Sequence, residues 1–268
     1  MPELPEVETV RRQLEPVLVG RTLRRVEILD GRLTRPHDPR SVAAELAGER
    51  VASVERRGKY LVLRFASGRA LLVHLRMTGG FRRGEASHLR ATLRLDDGTD
   101  VRFRDVRRFA TWRLFEPDEV DPYLAGQNGP EPLGTGFTAR WLAARLAGRR
   151  APVKALLLDQ RVAAGVGNIY ADEALWYAGV HPARAAGAVG PGELADVVRG
   201  VRRALRLGIE RQGATLRDYA APNGERGSMQ DEFRVYGRAG EPCLRCGVPI
   251  AKTRVAGRGT CYCPGCQR

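Results

Sequence analysis

Nothing in this 268-residue sequence approaches the roughly 20 consecutive apolar residues needed to span a bilayer. Its first residues also lack a charged stretch followed by an apolar one, which predicts a cytoplasmic chain, neither secreted nor membrane-bound. Acidic residues are in deficit, 31 Asp and Glu against 45 Lys and Arg, for a net charge of +14. Only three of those bases are lysines, a bias that explains the choice of arginine but not the excess of positive charge. The excess predicts a polyanionic partner, with nucleic acid the first choice. Cysteine is missing from the first 242 residues, and all five lie within the last 26. An odd, clustered set in a chain without a leader argues for metal rather than disulfides. Internal repeats and low-complexity segments are absent as well.

What is present divides by hydrophobic period. Pro5 suits the first position of a helix, Glu6 and Glu8 suit its first turn, and Val7, Val10, Leu14 and Leu18 recur at helical spacing until Gly20. From about residue 22 to 115 the period becomes two. Strands are expected at Thr22–Leu29, Lys59–Phe65, Ala70–Leu75, Leu89–Leu95, Asp100–Arg104 and Ala110–Phe115, with a short helix near Ser41–Leu46. Many short strands broken by turns such as Asp97-Gly98 indicate a β-sandwich or barrel. Glu116 to Gly136 is rich in Pro, Gly and Asp and reads as a hinge. Helices are expected at Thr138–Leu146, after Pro152, at Ile169–Tyr177 and at Pro191–Gln212, and 213–233 reads as a loop. The expected division is an N-terminal domain at 1–120, a hinge at 121–136, a helical domain at 137–233 with a loop at about 214–233, and a metal-binding segment at 234–268.

The clearest motif is Cys243-x-x-Cys246 followed after sixteen residues by Cys263-x-x-Cys266. This is the spacing of one structural zinc ion held by four thiolates, closed to water. A segment this short cannot bury enough apolar surface alone, so the metal supplies its folding energy. Cys261 shares a strand face with Cys263 and is either an extra ligand or a spare side chain.

The N-terminus carries a different chemistry. Removal of Met1, which a small second residue permits, leaves Pro2 as a secondary amine beside Glu3 and Glu6. An α-amino group titrates at about 7.7–8.0, against about 10.4 for lysine, so part of it is nucleophilic at neutral pH. An amine beside an acid is the minimum for Schiff-base chemistry on a sugar carbon. The alternative is a disordered end. Asn168, after Gly165-Val166-Gly167, is placed to cap the following helix while facing a phosphate, or is simply a cap. Arg107-Arg108-Phe109 and Met77 join apolar to basic side chains near turns, as a wedge into a duplex requires, or else are core residues. Lys59, after Arg56-Arg57-Gly58, begins a strand and is a phosphate contact or a solvated charge.

Taken together and in order, these stretches closely resemble the formamidopyrimidine-DNA glycosylase family of bacterial repair enzymes. The matching segments are residues 1–9, Arg57–Leu61, His74–Gly79, Asp105–Phe109, Gly129–Leu133, Lys154–Gln160, Gly165–Glu173, Val235–Arg238, and Arg258–Thr260 leading into Cys263–Gln267. The resemblance implies an α+β protein: an N-terminal β-sandwich, a helix–two-turn–helix domain around Asn168 and a C-terminal four-cysteine zinc finger, with DNA in the cleft between. It implies a monomer that excises oxidised purines from double-stranded DNA and cleaves abasic sites by β,δ-elimination. By the same resemblance Pro2 is the nucleophile, Glu3 the acid, and Lys59 and Arg258 hold flanking phosphates and donate protons. His74, His88, Arg107, Arg149, Asn168 and Tyr236 match DNA contacts, while Met77, Arg107 and Phe109 match the inserted set. The loop at about 214–233 matches a lid over the everted base. Ala110 departs from the family's usual glycine, and Ser228-Met229-Gln230-Asp231 and Cys261 also depart, leaving the lesion spectrum open. Two rivals remain: an endonuclease VIII-like enzyme for oxidised pyrimidines, and a non-catalytic zinc-ribbon DNA-binding protein.

Overall fold

The computed structural model describes residues 1–216 and 219–268, which form two compact units, 1–126 with 211–228 and 127–210 with 229–268. Arg217 and Asp218, inside the loop expected at about 214–233, lie outside the described residues.

The first unit opens with α1 (Leu4–Leu18), capped by Glu3. Glu3 and Glu6 form a reciprocal capping box, in which Glu6 Oε2 accepts the Glu3 N–H at 2.8 Å. Two donors that a helix start leaves unpaired are thereby satisfied. Val7, Val10, Leu14 and Leu18 face inward as the helical spacing predicts. The strands β1 (Leu23–Ile28), β2 (Val51–Arg57), β3 (Tyr60–Phe65), β4 (Ala70–His74), β5 (Gly79–Arg82), β6 (Leu89–Leu95), β7 (Asp100–Asp105) and β8 (Thr111–Phe115) form two antiparallel sheets, ordered β1-β6-β7-β5 and β2-β3-β4-β8. One core joins both sheets to α1 and α2 (Pro39–Leu46), with Phe81, Phe103 and Trp112 packed ring against ring. The outer face of the second sheet is covered by α3 (Val120–Gln127) through Val120 and Leu124.

Three elements escape the period-two reading. In β2 a register shift between Val51 and Ser53 spaces the inward residues Val51 and Val54 by three, hiding the alternation. β5 begins Gly79-Gly80, which reads as a turn, yet pairs with β7 residue by residue. Inside the stretch read as a hinge, α3 forms despite Pro122 and Gly126 because its apolar residues have a sheet to pack on.

Residues 211–228 return to the first unit, although reading along the chain places about 214–233 with the helical domain. Glu6 is the reason at one end: its Oε1 accepts the Ala214 N–H at 2.8 Å. Gly213 permits that approach, with φ +83° and a position where any Cβ would lie 2.7 Å from Glu6 Cγ. At the other end Arg82 Nη1 donates to Ala220 O (2.8 Å) and Ala221 O (3.2 Å), and the Arg83 N–H donates to Pro222 O.

The second unit consists of α4 (Ala139–Leu146), α5 (Val153–Leu158), α6 (Asn168–Ala178), α7 (Pro191–Glu210) and the hairpin β9 (Ala251–Val255) and β10 (Arg258–Tyr262). The buried stripe of α7, Leu194, Val197, Val198, Val201 and Leu205, is the one its period predicts. No helix among the described residues is long and apolar enough to cross a membrane.

Candidate active site and nucleic-acid interface

In the first unit, the start of α1 places Pro2 and Glu3 inside the molecule, both buried, while Met1 stays half exposed. Pro2 lines a small cavity with Met77, Leu75, Arg82 and Tyr219. Glu3 is tied to Glu6 by the capping box and Glu6 in turn accepts the Ala214 N–H, so the residue beside Pro2 is held through its neighbour. With Met1 attached the Pro2 nitrogen is an amide, and only its removal makes an amine.

Lys59 lies in the two-residue turn between β2 and β3 rather than at the start of a strand, and it is buried. Next to it His74 pairs with Tyr60 in the sheet, the rings meeting edge to face at 4.8 Å. Burial, then the charges of Arg76 and Lys59, hold the His74 imidazole down to about 3. Its Nδ1 accepts the Arg76 N–H at 3.0 Å, which leaves the ring proton on Nε2 as a neutral donor.

A pH dependence follows. Unfolded, His74 titrates near 6.5. Between about 6.5 and about 3 the unfolded chain therefore binds a proton that the folded chain refuses, and stability falls as pH drops through that window. The contribution is at most about 1.4 kcal/mol per pH unit. Urea unfolding between pH 6.5 and 4 is expected to show a shallower loss for His74→Gln than for the parent chain. Parallel curves would refute this.

Met77, Arg107 and Phe109 are brought together by two turns. Met77 lies between β4 and β5, Arg107 to Phe109 between β7 and β8. The Arg107 N–H donates to Thr78 Oγ1 at 2.9 Å, and the Arg107 guanidinium sits 5.0 Å over the Phe109 ring. Met77 and Phe109 are 38% and 51% exposed, so neither is a core residue. Arg108, the second of the basic pair, turns away: with φ 60° it donates to both oxygens of buried Asp30 at 2.6 and 2.8 Å. Asp30 is held at about 2, first by those bonds. His88 joins this corner through its carbonyl, which accepts the Asp105 N–H at 3.1 Å. Ala110 is buried here against Gly79, where an added Cβ would stand 2.6 Å from Leu75 O and 2.9 Å from the Ala110 methyl.

In the second unit, Asn168 is the first residue of α6 rather than its cap, which is Gly167. Its Nδ2 donates instead to Gly259 O at 3.0 Å, bringing it beside exposed Arg258 at the start of β10. Behind them a buried pair missed by the motif reading holds the hairpin: Lys154 Nζ lies 2.6 Å from Asp172 Oδ1 and donates to Thr260 Oγ1 at 2.7 Å. Asp172 Oδ2 accepts the Cys261 N–H, and burial raises its carboxyl to about 6 against the pull of Lys154. Tyr236 is positioned through its backbone, since Glu173, fully buried on α6, accepts the N–H groups of Arg234, Val235 and Tyr236 at 2.9–3.0 Å. Arg149 follows α4, its carbonyl accepting from the Gly187 N–H.

Cys243, Cys246, Cys263 and Cys266 bring their sulfurs within 4.8 Å of one another. Separations of 3.9 Å for Cys243–Cys266 and 3.4 Å for Cys246–Cys263 suit a tetrahedral zinc, whose bonds of about 2.3 Å set sulfurs about 3.8 Å apart. Backbone and indole donors on Cys243, from Arg245 and Trp176, suit thiolate. Cys261 lies outside the cluster, packed with Val235, Ile250 and Trp176.

Three family models match: the formamidopyrimidine-DNA glycosylase N-terminal domain at residues 1–112, the H2TH domain of the same enzyme at 128–220, and the "Zinc finger found in FPG and IleRS" at 240–268. The formamidopyrimidine-DNA glycosylase of Symbiobacterium thermophilum is 49% identical over all of this chain and 89% of its own. Among solved structures, a mutant FPG of Lactococcus lactis in complex with Fapy-dG-containing DNA is 37% identical, with TM-score 0.93 over 100% of both chains. A complex of the Lactococcus lactis Fpg with abasic-site DNA is also 37% identical, with TM-score 0.92 over 99% of both.

Proposed function

The chain belongs to the formamidopyrimidine-DNA glycosylase family, and on that premise we propose that it excises oxidised purines, 8-oxoguanine and formamidopyrimidines, from double-stranded DNA and cuts the abasic strand left behind. The carrying observation is Pro2, next to Glu3 held in a capping box with Glu6, lining one cavity with Met77. A base inside the stack is out of reach, so it must first be turned out of the duplex. Met77, Arg107 and Phe109 fill the gap, and the segment at about 214–233 covers the everted base.

Once Met1 is removed, the Pro2 nitrogen attacks C1′ and the base departs with the electrons of its glycosidic bond. Glu3 takes the proton that the Pro2 nitrogen sheds after attack and gives it to the deoxyribose ring oxygen, the C1′–O4′ bond opens, and because Pro2 is a secondary amine the product is an iminium that is cationic without protonation. That charge acidifies C2′. Loss of a C2′ proton expels the 3′ phosphate, and a second elimination expels the 5′ phosphate. Lys59 and Arg258 hold the flanking phosphates and donate protons in these steps, while His74, His88, Arg107, Arg149, Asn168 and Tyr236 bind the backbone and the gap. The zinc finger is structural, holding Arg258 in place. The proposed working form is a monomer in the cytoplasm, on the nucleoid when bound to DNA. A catalytic domain at 1–120, a helix–two-turn–helix domain within 137–233 whose loop packs with the first unit, and a finger at 234–268 are the proposed division of labour.

Borohydride added during reaction with an 8-oxoguanine duplex is expected to trap one covalent protein–DNA species. Absence of a trapped species from fully processed, zinc-loaded protein would sink the proposal. Excision compared on 8-oxoguanine and thymine glycol, each in the same duplex, separates oxidised purines from the pyrimidine rival.

A further inference from the structure

One buried carboxylate ties together the two turns that carry the wedge. Asp105, 1% exposed at the end of β7, uses both oxygens. Oδ1 accepts from the Thr78 hydroxyl and from the Arg107 N–H at 3.2 Å, and Oδ2 accepts the Ala110 N–H at 2.8 Å. Its backbone is also engaged, the N–H by His88 O and the carbonyl by Arg90 Nε at 2.9 Å. Thr78 is the neighbour of Met77, and its oxygen accepts the Arg107 N–H besides donating to Asp105. With Arg108 fixed to Asp30, Arg107 and Phe109 project from their turn.

We propose that Asp105 is the positioning residue of the wedge, acting through the Thr78 hydroxyl to lock the Met77 turn and the Arg107–Phe109 turn in one geometry before DNA arrives. This rests on the glycosylase reading above. Three side chains from two separate turns must enter one gap in a duplex. Turns that moved independently would lose that freedom at insertion, whereas a prelocked pair has lost it on folding. Asp105 touches no reacting atom in this scheme. Its effect is confined to turning out a stacked base, and an unpaired abasic site does not need it.

The test compares two substrates under single-turnover conditions, using the full chain with Met1 removed and zinc bound. One is 8-oxoguanine in a duplex; the other is an abasic site in a single strand of the same sequence. Thr78→Val keeps the shape but removes the hydroxyl, and is expected to slow duplex excision about 10–100-fold, the effect of one buried bond to a charged group. Cleavage of the single strand is expected to stay within about twofold. Thr78→Ser, which restores the hydroxyl, is expected to recover duplex excision. Asp105→Asn puts an amide N–H against the donors of this corner, and should follow Thr78→Val on both substrates if it folds. Equal losses on the two substrates, or undiminished duplex excision by Thr78→Val, would overturn the proposal. Failure of the parent chain to cut either substrate would instead refute the glycosylase reading itself.

Discussion

A chain that keeps Met1, or that carries extra residues ahead of Pro2, is expected to bind lesion-containing duplex as tightly as the processed chain while losing base excision on the order of 10⁴-fold or more. In such a chain the Pro2 nitrogen is an amide, its lone pair delocalised into the carbonyl, and no iminium can form. The fold does not depend on the freed amine. Glu3 and Glu6 cap α1 through each other's backbone N–H, and Glu6 accepts from Ala214, groups that are the same in both forms. Half-exposed Met1 is within reach of a processing peptidase, whereas buried Pro2 is not. Pro2→Gly in a processed chain is expected to lose the borohydride-trapped species as well. Intact mass identifies the processed fraction, and excision should scale with it. A blocked chain that excised at the processed rate would place the nucleophile elsewhere.

Removal of zinc is the second large effect expected, and it acts on binding. The finger has a small core, Trp176, Val235, Ile250, Cys261 and the sulfurs, so the metal supplies most of its folding energy, on the order of 10 kcal/mol. Without it β10 loses its place. Arg258 goes with the hairpin, and Asn168 and Lys154 lose the acceptors that Gly259 and Thr260 provide. Chelation, or Cys263→Ser, is expected to weaken duplex binding more than about 100-fold while leaving the β-sandwich folded. Restoring one equivalent of zinc should restore binding to the chelated protein. Equal affinity with and without metal would show that the finger does not hold the Arg258 contact.

The family and the metal cluster are more legible in the sequence than the architecture around them, because cysteine spacing and the order of the short motifs are local. β5 and α3 are hidden because each is a poor former that a partner surface stabilises, Gly79-Gly80 by β7 and Pro122-containing α3 by Leu72 and Phe115. The placement of Asn168 fails by one residue, since a carbonyl 91 positions away competes for the side chain that a local reading assigns to the cap. Residues 211–228 take their place in a linear reading from their neighbours in sequence, whereas Glu6 and Arg82, more than a hundred residues distant, decide where they dock. Asp105 carries no motif of its own beyond its place in Asp105–Phe109, and only the loop geometry reveals what its two oxygens collect.

The scarcity of lysine has an analytical consequence. Lys154 is sealed at 0% exposure and Lys59 at 6%, leaving Lys252, on the finger, as the exposed ammonium. Digestion after lysine divides the processed chain into four pieces, 2–59, 60–154, 155–252 and 253–268. A sugar reduced onto Pro2 adds its mass to the first piece and leaves every cut intact. One reduced onto Lys59 blocks the first cut and yields 2–154, and one on Lys252 fuses the last two pieces. A single mass spectrum can therefore read which nitrogen formed the bond.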